Sequence, residues 1–151
     1  MDVTINEWLF YYLANHVEDK YVLADNIFNK MFERCDKIVL LKGSPMNQKI
    51  NLLSKINLPR QRNIIKNFLR MFAYNSEKLK LIENVNELPD DIIKLLPKQE
   101  KDKDKYLVQT ALATNDKVIV TADRKLKESI HEKCGIKVKL VEEFWKEIKN
   151  V

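Results

Sequence analysis

Two aspartates, Asp104 and Asp123, lie at the ends of the most strongly patterned stretch of the chain. Apolar residues first recur at helical spacing over residues 104–114 and then form an unbroken run over residues 118–120. The first pattern predicts a buried helix with Asp104 as its N-terminal cap, and the second predicts a short strand of a parallel sheet. When a helix precedes its strand in such a unit, the start of the helix and the end of the strand meet at one edge of the sheet. We therefore expect the two aspartates to converge at the edge where ligands bind in open α/β sheets.

The same stretch resembles the PIN-domain nucleases, a family that includes the toxin ribonucleases of prokaryotic toxin–antitoxin pairs. The resemblance is carried by Asp-x-x-Leu-Val-x-x-Ala-Leu-Ala at residues 104–113 and by Val-Thr-x-Asp-x-x-Leu at residues 120–126. It extends over residues 102–151, because the strand and helix that follow also fit, and it is weak before them. The resemblance implies that Asp104 and Asp123 bind divalent metal and that Thr121 lies beside them at the strand end.

Two further acids of the family pattern have no direct counterpart in this sequence. The pattern has an aspartate at the end of the first strand, and its alignment on Asn6 puts Thr4 at that position and leaves Glu7 as the nearest acid. It also has a glutamate on the helix after the second strand, where this chain offers Asn47, Gln48 and neighbouring lysines. We expect Asn6, Glu7 or Gln48 to supply the missing oxygen ligands, either as neutral amides or as a carboxylate at a neighbouring position.

The chemistry that clustered carboxylates support is metal-assisted hydrolysis. Mg²⁺ and Mn²⁺ prefer oxygen ligands and activate water for attack on a phosphodiester bond. Because only two of the four expected acids are recovered, we expect the metal to be weakly bound. The alternative interpretation of Asp104 is a plain helix cap, and that of Asp123 is a turn residue. Two functions stay open: a PIN-like metal-dependent ribonuclease acting on single-stranded RNA, and a catalytically degenerate PIN-like module that binds nucleic acid or a protein.

The net charge of +5 is unevenly distributed along the chain. Residues 1–36 carry seven acidic and three basic side chains, whereas residues 37–76 carry eight basic and no acidic ones. An acid-free basic segment favours a polyanion such as RNA or DNA. Five basic residues in this segment are candidate nucleic-acid contacts: Lys55, Arg60, Arg62, Lys66 and Arg70. The last three recur every four residues, which predicts a single stripe on a helix; a merely solvated face is the alternative.

The apolar patterns alternate between strands and helices, which predicts a three-layer α/β/α fold with a mainly parallel sheet of four or five strands. The strands are expected at residues 3–5, 37–41, 79–82, 118–120 and 136–141, with 79–82 at an edge. The helices are expected at residues 7–14, 21–34, 45–56, 59–74, 104–114, 124–133 and 142–150, with a further short one from residue 87. Residues 98–103 are expected to form a solvated turn within a single domain, 1–151.

Several protein classes do not fit the composition. No apolar run approaches the roughly 18 residues that span a bilayer, and the N-terminus lacks the order of a signal peptide, so we expect a cytoplasmic protein without a membrane partner. Cys35 and Cys134 have no neighbouring cysteine, which favours free, partly buried thiols over a zinc site or a disulfide. An antitoxin-like protein partner and a homodimer remain expectations that follow from the resemblance.

Overall fold

The computed structural model describes residues 1–97 and 101–151, and for residues 101–103 it describes the backbone alone. The strands are β1 (Asp2–Ile5), β2 (Lys37–Leu41), β3 (Leu79–Ile82), β4 (Val118–Thr121) and β5 (Lys137–Leu140). The helices are α1 (Trp8–Leu13), α2 (Glu18–Glu33), α3 (Pro45–Leu53), α4 (Arg62–Phe68), α5 (Asp90–Leu95), α6 (Lys101–Leu112), α7 (Arg124–Ile130) and α8 (Val141–Ile148). A π-helical turn, Leu69–Ala73, continues α4, and a 3₁₀ turn, Lys133–Gly135, precedes β5.

The five strands form one sheet in the order β3-β2-β1-β4-β5, and every pair of neighbouring strands is parallel. This arrangement confirms the predicted three-layer α/β/α fold. It also confirms that β4 is an interior strand and that β3 is an edge strand. Because β1 pairs with both β2 and β4, the order of the strands reverses between β1 and β4. In open parallel sheets such a reversal opens a crevice beyond the carboxyl ends of the two strands.

The sheet separates two hydrophobic cores, and β4 shows how it does so. Val118 and Val120 belong to the larger core, which packs beneath α1, α2, α3, α4 and α8. Ile119, whose side chain points to the opposite face, belongs to a smaller core that α5, α6 and α7 cover. Side chains alternate between the faces of a strand, so an unbroken apolar run suits a strand that is covered on both sides.

The start of α3 follows the predicted pattern. The Asn47 backbone N–H donates to Ser44 Oγ over 3.3 Å, so Ser44 caps the helix, and Pro45 is its first residue. Gly43, which precedes the cap, has a φ of +77°, a left-handed conformation that favours glycine. These features place the beginning of α3 directly after β2, at the carboxyl edge of the sheet.

The prediction that Asp104 caps its helix is wrong. Helix α6 begins at Lys101, so Asp104 lies one turn inside it. Residues 101–103 of the predicted turn at 98–103 are therefore helical, and residues 98–100 lie outside the described part of the chain. The physical reason is that Asp104 shares a helical face with the buried residues Leu107, Val108 and Ala111. The carboxylate is therefore carried on the inward face of α6 and is only 6% exposed.

The helix predicted over residues 59–74 is also different from the observed one. Helix α4 begins at Arg62, because Pro59 lies in a turn that is closed by the Gln61 N–H donating to the Leu58 carbonyl. The buried Gln61 side chain then donates to the Asn15 carbonyl over 2.5 Å, which ties this turn to the end of α1. The segment ends as a π-helical turn, a form that advances side chains by a different angle from an α-helix.

Smaller differences concern side-chain exposure. On α2, Tyr21 is buried towards the core, whereas Val22 is 37% exposed. Cys35 and Cys134 are free as predicted, but both are exposed rather than partly buried. Within the described residues, no helix has the length and apolar character that crossing a membrane requires.

Candidate active site

A cavity of about 400 Å³ lies beyond the carboxyl ends of β1 and β4, at the reversal of strand order. Three segments that are distant in sequence line it: residues 6–8 after β1, Ala122 and Asp123 after β4, and Asp104 and Tyr106 on α6. Tyr11 and Tyr12 of α1 complete the wall. Its volume falls within the range of pockets that bind small molecules or parts of larger ligands. The fold thus brings Asn6, Glu7, Asp104 and Asp123 to the lining of one cavity.

The floor of the cavity is held by hydrogen bonds on Thr121. Asn6 Nδ2 donates to Thr121 Oγ1 over 2.7 Å, and the Asp123 N–H donates to the same oxygen over 3.1 Å. The Trp8 indole N–H donates to the Val120 carbonyl over 2.8 Å. Thr121 itself is fully buried and does not line the cavity, so its hydroxyl acts by joining the ends of β1 and β4.

Asp123 is the N-terminal cap of α7. Its Oδ1 accepts hydrogen bonds from the Lys125 N–H over 2.9 Å and from the Leu126 N–H over 3.4 Å. The cap fixes the rotamer of a carboxylate that also lines the cavity. One oxygen of Asp123 therefore serves the helix, which leaves Oδ2 as the oxygen better placed to bind a ligand.

Tyr106 lines the cavity together with the carboxylates of Glu7 and Asp104. Burial, then the charges of Glu7 and Asp104, raise the pKa of the Tyr106 hydroxyl far above its ordinary range, and a hydrogen bond with the Met46 backbone opposes them only in part. The hydroxyl consequently stays neutral at ordinary pH. Sequence reasoning did not identify Tyr106, because its place on α6 outside the apolar stripe gives it no distinguishing spacing.

The donor set fits a divalent cation only in part. Glu7, Asp104 and Asp123 line one cavity, and oxygen donors are what Mg²⁺ and Mn²⁺ prefer. Yet, in the part of the chain whose side chains are described, no three His, Cys, Asp or Glu side chains are clustered closely enough to bind one ion together. Glu7, Asp104 and Asp123 thus share a cavity, but they do not lie close enough together for direct coordination of one ion. A shared ion would therefore depend on side-chain movement or on water in several of its coordination positions.

Asn6, which follows β1, lines the cavity, whereas Thr4 within β1 does not. Thr4 is 1% exposed within the sheet, and no described group forms a hydrogen bond with its hydroxyl. Gln48 does not line the cavity either, since its Nε2 donates to the Gly43 carbonyl over 3.2 Å, and Asn47 Oδ1 accepts from the Gly43 N–H. An amide thus stands at the end of β1, where a carboxylate would add a charge to the site.

An aromatic wall borders the acidic groups. Trp8, 4% exposed, packs edge-on against Tyr12 with ring centroids 5.2 Å apart, whereas Tyr11 is 53% exposed. Two lysines from other helices lie over these rings: Lys20 Nζ is 4.7 Å from the centre of Tyr12, and Lys49 Nζ is 5.4 Å from that of Tyr11. Only the fold shows that this face of α1 borders the cavity.

The five basic candidates are all exposed, but they do not form one stripe. Arg62 and Lys66 line a groove between the end of α3 and α4, and Arg62 donates to Asn57 Oδ1 over 3.0 Å. Arg70 lines a different cavity, beside Phe32 and Glu33 of α2. It lies in the π-helical turn that continues α4. Lys55 and Arg60 lie in the exposed connection between α3 and α4.

No protein-family model matches this sequence, and comparisons with curated proteins and with solved structures find no significant similarity. The function is therefore argued from the cavity and its surroundings.

Proposed function

We propose that this chain is a PIN-like metal-dependent ribonuclease that hydrolyses phosphodiester bonds of single-stranded RNA. The observation that carries the proposal is the convergence of Glu7, Asp104 and Asp123 around one cavity at the strand-order reversal. Sites at this position of an open parallel sheet receive their ligand beyond the carboxyl ends of the strands. Carboxylates that line one cavity there suit hydrolysis of a phosphodiester with the help of Mg²⁺ or Mn²⁺.

In this proposal Asp104 and Asp123 hold the metal, Glu7 supplies a third charge, and Asn6 an amide oxygen. The metal, when bound, acts as a Lewis acid and lowers the pKa of water. Thr121 and the helix cap keep the Asn6 and Asp123 side chains in place. Tyr106 contributes a neutral O–H to the wall of the cavity. The proposed binding is weak, because the cavity has fewer charges than a site built from four carboxylates.

The basic segment supports a nucleic-acid substrate. Arg62 and Lys66 are exposed along one groove, in a stretch without any acidic residue to neutralise them. Exposed cations of this kind bind phosphates and make affinity dependent on salt. Lys49 adds a positive charge near the ring of Tyr11, which lines the cavity. RNA is thus the proposed partner, and the expected protein partner and homodimer stay predictions.

The test is cleavage of a labelled single-stranded RNA at increasing Mn²⁺, with and without EDTA. We expect slow cleavage that appears only at high metal concentration and is abolished by Asp104→Asn and by Asp123→Asn. The matched control is Asp91→Asn, which changes an exposed carboxylate on α5 outside the cavity. Strong cleavage in EDTA would contradict the proposal, since the site offers no metal-free route that we can identify.

One observation favours a second function, a catalytically degenerate module that binds nucleic acid or a protein. Among the described side chains no three metal-ligating groups are clustered, and the residue at the end of β1 is an amide. RNA binding without cleavage at every metal concentration would decide for this module. The same assay therefore separates the two functions, provided that binding is measured in parallel.

A further inference from the structure

We propose that the aromatic wall of the cavity binds one unpaired nucleobase and that Glu7 makes the site select guanine. The inference rests on the proposed function, because it assumes that the cavity receives part of a single-stranded nucleic acid. It goes further by naming the base and the residues that read it. Three groups around the cavity carry it: the ring of Tyr11, the carboxylate of Glu7 and the ammonium of Lys49.

The ring of Tyr11 offers a stacking surface. It is 53% exposed although it lines a cavity, and it is tilted at 82° to the neighbouring Phe10 rather than stacked on it. Trp8, which lines the same cavity, is fixed by its indole hydrogen bond to Val120 and by its edge contact with Tyr12. Exposed aromatic rings are what proteins use to stack single-stranded bases, and such stacking tolerates any base sequence.

Glu7 lies at the hydroxyl end of this ring. Tyr11 OH donates to Glu7 Oε2 over 3.4 Å, a long contact that a better donor can replace. A carboxylate only accepts hydrogen bonds, and its two oxygens match two adjacent donors. Guanine alone among the RNA bases presents two adjacent donors on its pairing edge, N1–H and the N2 amine. Adenine and cytosine present one amine, and uracil presents one N–H between two acceptors that a carboxylate repels.

Lys49 supplies the charge for the attached phosphate. Its Nζ lies 5.4 Å from the centre of the Tyr11 ring and 5.0 Å from that of Phe10. It comes from α3, so it approaches the ring from a different helix than Glu7 does. A base stacked on Tyr11 would thus have an acceptor at its edge and a cation near its sugar-phosphate. Base stacking, recognition of the base edge and pairing with the phosphate are together the interactions that bind one nucleotide.

Binding of GMP, AMP, CMP and UMP in EDTA tests the inference without metal or catalysis. Trp8 lines the cavity, so its fluorescence is the reporter, and Trp145→Phe removes the other tryptophan. We expect GMP to bind about tenfold more tightly than the other three, a difference of about 1.4 kcal/mol. Glu7→Gln should remove this preference and keep base binding, since an amide accepts at only one of its two positions. Isothermal calorimetry on the same variants gives an independent affinity.

Tyr11 variants separate stacking from edge recognition. Tyr11→Ala should weaken all four nucleotides about equally, and Tyr11→Phe should retain them, because the ring is what stacks. Tyr74→Ala is the matched control: Tyr74 is 71% exposed and lies outside the cavity. Equal binding of the four nucleotides, a guanine preference that survives Glu7→Gln, or no fluorescence response to any of them would each overturn the inference.

The outcomes distinguish this inference from the proposed function. Metal-dependent RNA cleavage without any base preference would leave the ribonuclease in place and refute guanine selection. Glu7-dependent GMP binding without cleavage would support the nucleobase site in a protein that is a binding module.

Discussion

Asn6 Nδ2 and Thr121 Oγ1 form a hydrogen bond of 2.7 Å, although the two residues are 115 positions apart in the chain. This bond joins the ends of β1 and β4, the two strands between which the strand order reverses. With the bond from the Trp8 indole to the Val120 carbonyl, it joins the N-terminal half of the site to the C-terminal half. Geometry at the cavity should therefore depend on Thr121, which no ligand in the cavity could touch directly.

Thr121→Val should destabilise the protein by about 1–3 kcal/mol, because the Asn6 amide and the Asp123 N–H both lose their acceptor. The matched control is Thr4→Val in the neighbouring strand. Thr4 is equally buried, but no described group bonds its hydroxyl, so the change should be neutral or stabilising by up to about 1–3 kcal/mol. Urea unfolding measures both. A greater loss of unfolding free energy for Thr4→Val than for Thr121→Val would show that the hydrogen bonds on Thr121 do not stabilise this edge of the sheet.

Asn6→Asp should strengthen metal binding. The change is isosteric and adds a carboxylate to a cavity already lined by three, and the Thr121 hydroxyl can turn to donate where it now accepts. We expect Mn²⁺ affinity to rise several-fold, and cleavage with it, as measured by calorimetry and by the RNA assay. Asn75→Asp is a suitable control, because Asn75 lies outside this cavity. Its Oδ1 accepts a hydrogen bond from the backbone N–H two residues later in the chain. Unchanged Mn²⁺ affinity would mean that Asn6 does not face the ion.

Tyr106 gives a prediction at alkaline pH. Its pKa in the folded protein is raised by burial and by Glu7 and Asp104, so the unfolded chain loses the proton first, near the ordinary value of about 10. The stabilising effect of the neutral hydroxyl is therefore complete below pH of about 10 and is lost as the pH rises further. We expect the free energy of unfolding to fall between pH 9 and 11 less steeply in Tyr106→Phe than in the wild type. Tyr74→Phe, at an exposed tyrosine, should leave the slope unchanged.

Charge reversal separates the two basic surfaces. We expect charge reversal of Arg62 and Lys66 together to weaken the salt dependence of RNA binding. The slope of log Kd against log salt concentration should fall by about 0.7 for each phosphate contact that is lost on a single strand. Arg70→Glu should have a smaller effect, because Arg70 lines another cavity beside α2. The measurement is log Kd against log salt concentration for each variant. An equal change in slope for Arg70→Glu would show that RNA reaches both surfaces.

Much of the architecture follows from the sequence, because it depends on local patterns. The apolar run of β4 predicts an interior strand, since a strand covered on both faces must be apolar at every position. Ser44 and Pro45 predict the start of α3, since capping involves only neighbours in the chain. The convergence of Asp104 and Asp123 follows from the alternation of helix and strand, which fixes the edge of the sheet where each lies.

The tertiary structure decided what depends on contacts between distant segments. Asp104 is carried into the cavity by the inward face of α6, although its sequence context predicts a cap. Tyr106 and Tyr11 border the acids only because α6 and α1 meet beyond the ends of β1 and β4. Arg70 lines a different cavity from Arg62 and Lys66, because it lies beside α2. Periodicity along one segment determines which side of a helix is buried, whereas packing of the segments against each other determines which side chains share a site.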